Sequence, residues 1–143
     1  MQLHLKKRAR LIALSLVGTF VIMRIYLHIS PGTNLDIGPY NIHHLFTGLL
    51  LLTFAGLPLV LFHHTSRVLD VAALLFGAGL SMALDEWVYL ITTDGSDASY
   101  LLPISLWGGV VMVGLAVLYL LALVHFGSRT SQSRHHPERH PSE

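Results

Sequence analysis

Residues 68–91 read VLDVAALLFGAGLSMALDEWVYLI, and this stretch decides the fold. It is long enough for a helix rising about 1.5 Å per residue to cross the roughly 30 Å of a bilayer's hydrocarbon. Its apolar residues run on without alternating, which excludes a membrane-barrel strand. In lipid the backbone must satisfy its own hydrogen bonds, so the stretch is helical. Within it Ala73, Gly77, Ser81 and Asp85 recur every fourth residue and stack on one stripe. Small side chains on such a stripe let another helix come close, so Asp85 at its end faces protein and not lipid. Glu86 lies about 100° further round, near the line through Gly79 and Ala83, and borders the same interface.

Three further apolar runs, 11–29, 45–62 and 101–124, have comparable length. With 52% hydrophobic and 12% charged residues and a mean hydropathy of +0.59, the chain lies outside the soluble class. The expected architecture is all-α: an integral membrane four-helix bundle formed by 1–126, with 127–143 as a disordered tail rich in Ser, His, Arg and Pro. His135, His136 and His140 in that tail read as a solvated tract that also meets anionic lipid heads.

The basic residues orient the bundle. Lys6, Lys7, Arg8, Arg10, Arg67, Arg129, Arg134 and Arg139 all fall on one side of the expected helices. The opposite connections, 30–41 and 92–100, hold no Lys or Arg and carry Asp36, Asp94 and Asp97. The positive-inside rule then places both termini in the cytoplasm of a multi-pass plasma (cell inner) membrane protein. The first apolar run has a basic start, as a signal peptide does. Arg24, Tyr26 and His28 interrupt it, and no small-residue cleavage site follows, so it reads as a retained helix. The absence of cysteine excludes disulfides, thiolate zinc and iron–sulfur ligation. No nucleic-acid motif, Gly-rich phosphate loop or internal repeat occurs.

The topology gathers ionisable residues at the extracytoplasmic face: Arg24 and His28, the pair His43 and His44, and the pair Asp85 and Glu86. Arg24 is five residues from Ile29 and Glu86 five from Ile91, so both lie about 8 Å inside the boundary. A charge in a helix centre costs about 2.5–3.5 kcal/mol on insertion scales and persists mainly where it is paired or used. Arg24 is expected against Asp85 or Glu86 as a structural ion pair. One arginine cannot balance two carboxylates, so a second cation is wanted, either a metal ion or a protonated histidine.

The metal reading takes His28, His43, His44, Asp85 and Glu86 as ligands. Imidazole and carboxylate without sulfur suit Zn²⁺, Fe²⁺ or Mn²⁺. Such a centre acidifies a bound water, with Asp85 or Glu86 as the catalytic carboxylate taking its proton. Against it, neighbouring residues on a helix point about 100° apart, so His43 and His44 converge only if the helix starts at His44. The spacing also matches no H-E-x-x-H signature.

The segments Asn41-Ile42-His43-His44-Leu45-Phe46-Thr47-Gly48 and Gly79-Leu80-Ser81-Met82-Ala83-Leu84-Asp85-Glu86-Trp87 resemble a pattern in small bacterial integral membrane proteins. In that group an I-H-H segment opens one helix and an L-D-E-aromatic segment closes the next. The resemblance implies a bacterial source and pairs the two motifs; it carries no chemistry over.

Two functional readings follow. One is a polar, metal-binding site on the extracytoplasmic face, acting by metal-assisted hydrolysis or oxidation on a lipid-soluble substrate. The alternative is a non-catalytic structural or accessory subunit held by a buried Arg–carboxylate pair. The expected partners are the lipid bilayer and a second copy or another membrane protein, with no nucleic acid.

Overall fold

The computed structural model describes residues 2–30, 36–37, 40–41, 43–62 and 66–133. Four long helices, α1 (Gln2–Ile29), α2 (His44–Leu61), α3 (Arg67–Thr92) and α5 (Pro103–Ser133), are each long and apolar enough to cross a membrane. A single turn, α4 (Asp97–Tyr100), precedes α5. A two-residue antiparallel pair, β1 (Asp36–Ile37) with β2 (Tyr40–Asn41), lies in the connection from α1 to α2.

α3 is the central element and packs against α1, α2 and α5. Its start is set by Ser66, whose side chain accepts a hydrogen bond from the Leu69 amide at 3.3 Å, with Asp70 in the first turn to complement the helix dipole. The expected small-residue stripe is buried along its length, from Ala73 through Gly77 and Ser81 to Asp85, and Tyr89 extends it.

Glycines bring the backbones together. A Cβ on Gly77 would stand 2.5 Å from the Ile12 carbonyl oxygen of α1. On another face of α3, a Cβ on Gly79 would stand 2.7 Å from the Gly48 carbonyl oxygen, and one on Gly48 2.7 Å from that of Gly79. Both clashes are with backbone, which cannot swing aside, so α1 and α2 each touch α3 only because these positions are glycine.

The contacts also set direction. Ser15 of α1 donates to the Leu74 carbonyl at 2.6 Å, and Arg24 reaches Asp85, so α1 and α3 run parallel. Leu45 meets Glu86 and Gly48 meets Gly79, so α2 runs opposite to α3. Gly127 of α5 lies near Leu5 of α1, which brings the ends of the first and last helices to one end of the bundle. There Lys7 and Asp70 form an ion pair at 2.5 Å. It is largely exposed and contributes at most about 1 kcal/mol.

Two boundaries differ from the sequence reading. α1 begins at Gln2, well before residue 11, and α5 continues to Ser133, beyond residue 127. Hydropathy locates the part of a helix that suits lipid, not its end. Lys, Arg, Gln, Leu and Ala are good helix formers, so α1 continues through 2–10 into the aqueous phase at little cost; the Gly, Ser and Thr of 127–133 give α5 no such propensity. The remainder of the expected tail, 134–143, and the residues His63 and His64 lie outside the described residues.

Large apolar side chains are exposed on every long helix, among them Leu14, Ile22, Phe54, Val60, Val68, Leu118 and Tyr119. In water this would be untenable; in a bilayer these side chains face acyl chains.

Candidate functional site

At the end of the bundle opposite Lys7 and Asp70, two carboxylates from adjacent positions on α3 take two different sets of partners. The first set centres on Arg24. Its Nε donates to Asp85 Oδ1 at 2.8 Å, and Nη2 bonds the same oxygen. Nη1 donates to the Tyr100 carbonyl at 3.1 Å, while Nη2 also donates to the Ser105 carbonyl at 3.0 Å and its hydroxyl at 3.1 Å. The guanidinium carbon lies 4.2 Å from the centre of the Tyr100 ring, a cation–π contact on a face shielded from water. Arginine suits this place because its planar fork spreads donors over several acceptors.

Asp85 Oδ2 accepts from the Tyr100 hydroxyl. Burial and the neighbouring Asp85 carboxylate push the Tyr100 hydroxyl well above its ordinary range, so it stays protonated as a donor. Gly109 on α5 makes room for the pair, since a Cβ there would stand 2.5 Å from Asp85 Oδ1 and 2.9 Å from the Phe20 ring. With side-chain exposures of 10% for Arg24 and 8% for Asp85, this is a buried salt bridge.

Tyr100 is held by the loop before α5. Tyr89 donates its hydroxyl to the Ser96 carbonyl at 3.0 Å, Ser99 donates to the same carbonyl at 2.8 Å, and Tyr89 and Tyr100 pack edge to face at 5.2 Å. The Asp94 carboxylate accepts from the Ser96 amide at 3.1 Å and its hydroxyl at 2.8 Å, bonds that hold it below its ordinary pKa.

The second set centres on Glu86. His43 Nδ1 lies 2.7 Å from Glu86 Oε1, and the Leu45 amide donates to Oε2. This solves a local problem. A helix leaves its first amides without partners, and His43, at the N-cap of α2, offers them no side-chain acceptor. Glu86 reaches across from α3 and supplies one, placing a negative charge at the positive end of the α2 dipole. Glu86 is 3% exposed, while the His43 side chain that meets it remains 28% exposed.

The sequence-derived candidates therefore divide. Arg24 is paired with Asp85 as expected, and of the two carboxylates it takes only that one. His43 supplies the second partner that the excess carboxylate called for, as an ion pair when protonated. His44 is half-buried and borders a small cavity with Asp85 and Glu86.

His28 differs from the other two histidines in its exposure. It is exposed and borders an outer recess with Arg24, Ile25, Ile29, Leu101 and Leu106, whereas the small cavity beside the carboxylates is lined by His44. Its spacing of four from Arg24 holds, but Arg24 reaches sideways into the bundle while His28, a turn later, stays on the rim. α2 does begin at His44, the one condition under which both histidines could face one point. Even so, among the described residues no three His, Asp or Glu side chains form a group that could hold a metal ion. Tyr100 and Ser105 were not among the candidates.

The chain matches no protein-family model, no curated protein and no solved structure. Its own geometry carries the functional argument.

Replacing Tyr100 with phenylalanine keeps the cation–π face and removes only the hydroxyl donated to Asp85. The expected loss is about 1–2 kcal/mol of bundle stability, measured by unfolding in mixed micelles.

Proposed function

We propose that this membrane protein is a non-catalytic structural or accessory subunit, whose polar cluster locks the helices at the extracytoplasmic end. One observation supports the reading: all four carboxylate oxygens of Asp85 and Glu86 already accept from protein donors on α1, α2 and the loop before α5. A catalytic metal centre needs carboxylate oxygens for the ion and another to take the proton of its water. Here each of those oxygens already serves a protein donor, so an ion would compete with the lock for them. As a lock the cluster is complete: it ties α3 to α1, to the start of α2 and to the start of α5.

The test compares metal content with stability in the near-isosteric variants Asp85→Asn and Glu86→Gln. The locking reading expects both to lower stability, with wild-type protein purified without chelator holding no stoichiometric zinc, iron or manganese. Stoichiometric metal that both variants lose while folding is retained would establish the metal site instead.

The orientation is part of the proposal. Lys6, Lys7, Arg8, Arg10 and Arg67 lie towards the end of the bundle away from the cluster, which the positive-inside rule assigns to the cytoplasm. Ala98 is exposed in α4, beside the cluster, and the chain has no cysteine of its own. Ala98→Cys is expected to react with a membrane-impermeant maleimide in intact cells; reaction only after permeabilisation would reverse the orientation. The apolar flanks face lipid, and a second copy or another membrane protein is the expected companion of an accessory subunit.

A further inference from the structure

Between the two ion pairs lies a small cavity of about 10 Å³, bordered by Ser81, Asp85, Glu86, His44, Tyr100 and Met82, with Met23 and Phe20 completing its wall. This is close to the smallest space that admits a water molecule. Ser81 is 1% exposed, and its Oγ has no hydrogen-bond partner among the described residues. Hydroxyls in membrane helices ordinarily bond back to the carbonyl four residues earlier, as Thr53 does to Leu49 at 2.8 Å and Thr92 to Val88 at 2.7 Å. Ser81 forgoes that local partner. A buried hydroxyl left without one is destabilising, and lipid offers no substitute.

We propose that this cavity is a binding site for one structural water molecule, held by the Ser81 hydroxyl between the Arg24–Asp85–Tyr100 and His43–Glu86 pairs. The chemistry is complementary. A bound water typically makes about three hydrogen bonds. The Ser81 hydroxyl donates to the water oxygen, and the water's two protons turn to the carboxylates of Asp85 and Glu86, each of which retains lone pairs beyond those its protein donors use. The half-buried His44 ring closes the remaining side. Apolar packing alone would place alanine at position 81, as at Ala73 on the same stripe, so the serine hydroxyl is what the cavity adds. The site goes beyond the locking role, because it joins two ion pairs that share no direct hydrogen bond into one polar network.

Radiolytic footprinting of folded wild-type protein in H₂¹⁸O tests this, because hydroxyl radicals formed from an ordered water label the side chains beside it. Met82 borders the cavity, whereas Met112 borders a separate, almost wholly apolar recess and serves as the internal control. The expected result is labelling of Met82 several-fold above Met112, falling to the Met112 level in Ser81→Ala. The same substitution should lower the thermal midpoint by about 3 °C, through loss of the water's bonds. Equal labelling of Met82 and Met112 in wild type would overturn the site. So would a raised midpoint in Ser81→Ala, the sign expected when an orphaned buried hydroxyl is removed. Footprinting reads the water in the intact protein, so its outcome is separate from what variants of the ion pairs do to stability.

Discussion

Replacing Arg24 with methionine is expected to remove about 3–5 kcal/mol of bundle stability, measured by unfolding in mixed micelles or by steric trapping in bilayers. The loss arises less from the attraction forfeited than from what remains: Asp85, buried and left with the Tyr100 hydroxyl as its one side-chain donor from the first set. The reciprocal change, Asp85→Leu, is expected to cost less. Arg24 would keep the carbonyls of Tyr100 and Ser105 and the face of the Tyr100 ring. This ordering is particular to the geometry, since an isolated pair would lose equally from either side. Equal losses would mean that the loop before α5 does not share the arginine.

The second large effect belongs to Glu86. Glu86→Leu should cost about 2–4 kcal/mol, because it strips an acceptor from His43 and leaves the part-buried Leu45 amide without one. The damage should be local. Hydrogen exchange should quicken at the start of α2, around Leu45 and Phe46, while the middle of α3 stays protected. His43→Ala removes one of the two bonds and should cost about half as much. Uniform loss of protection along α2 would contradict the capping role.

Much of this was legible in the sequence for physical reasons. A span must be apolar over its whole length, so the four helices announce themselves. Ala73, Gly77, Ser81 and Asp85 declare the buried face of α3 because small residues and a carboxylate share one periodicity. That Arg24 meets Asp85 or Glu86 followed from similar depth and opposite charge; which of the two carboxylates it takes did not. The partner of Glu86 was legible as a need, a second cation, but not as an identity, since His28, His43 and His44 satisfy the same count. What separates them is the direction in which each side chain leaves its helix, and depth carries no information about that.

The rest left no signal. The acceptors that complete the arginine's shell are largely backbone carbonyls, of Tyr100 and Ser105, and the acceptor role of a carbonyl does not depend on residue type. The donor that completes Glu86 is a backbone amide exposed by the start of a helix. Gly109 reads in sequence as one more small residue of a membrane helix. Its purpose shows only when Asp85 and Phe20 are found where its Cβ would be.

The central claim is that Arg24 and Asp85 act on one another to hold α1 against α3. A double-mutant cycle tests it most directly, using Arg24→Met, Asp85→Leu and the combination. The double variant buries no charge at these two positions, so it should recover a large part of the single losses. The account predicts a coupling energy of about 2 kcal/mol or more. Losses that add within about 0.5 kcal/mol would contradict it, and the two residues would then be independent of one another in the folded bundle.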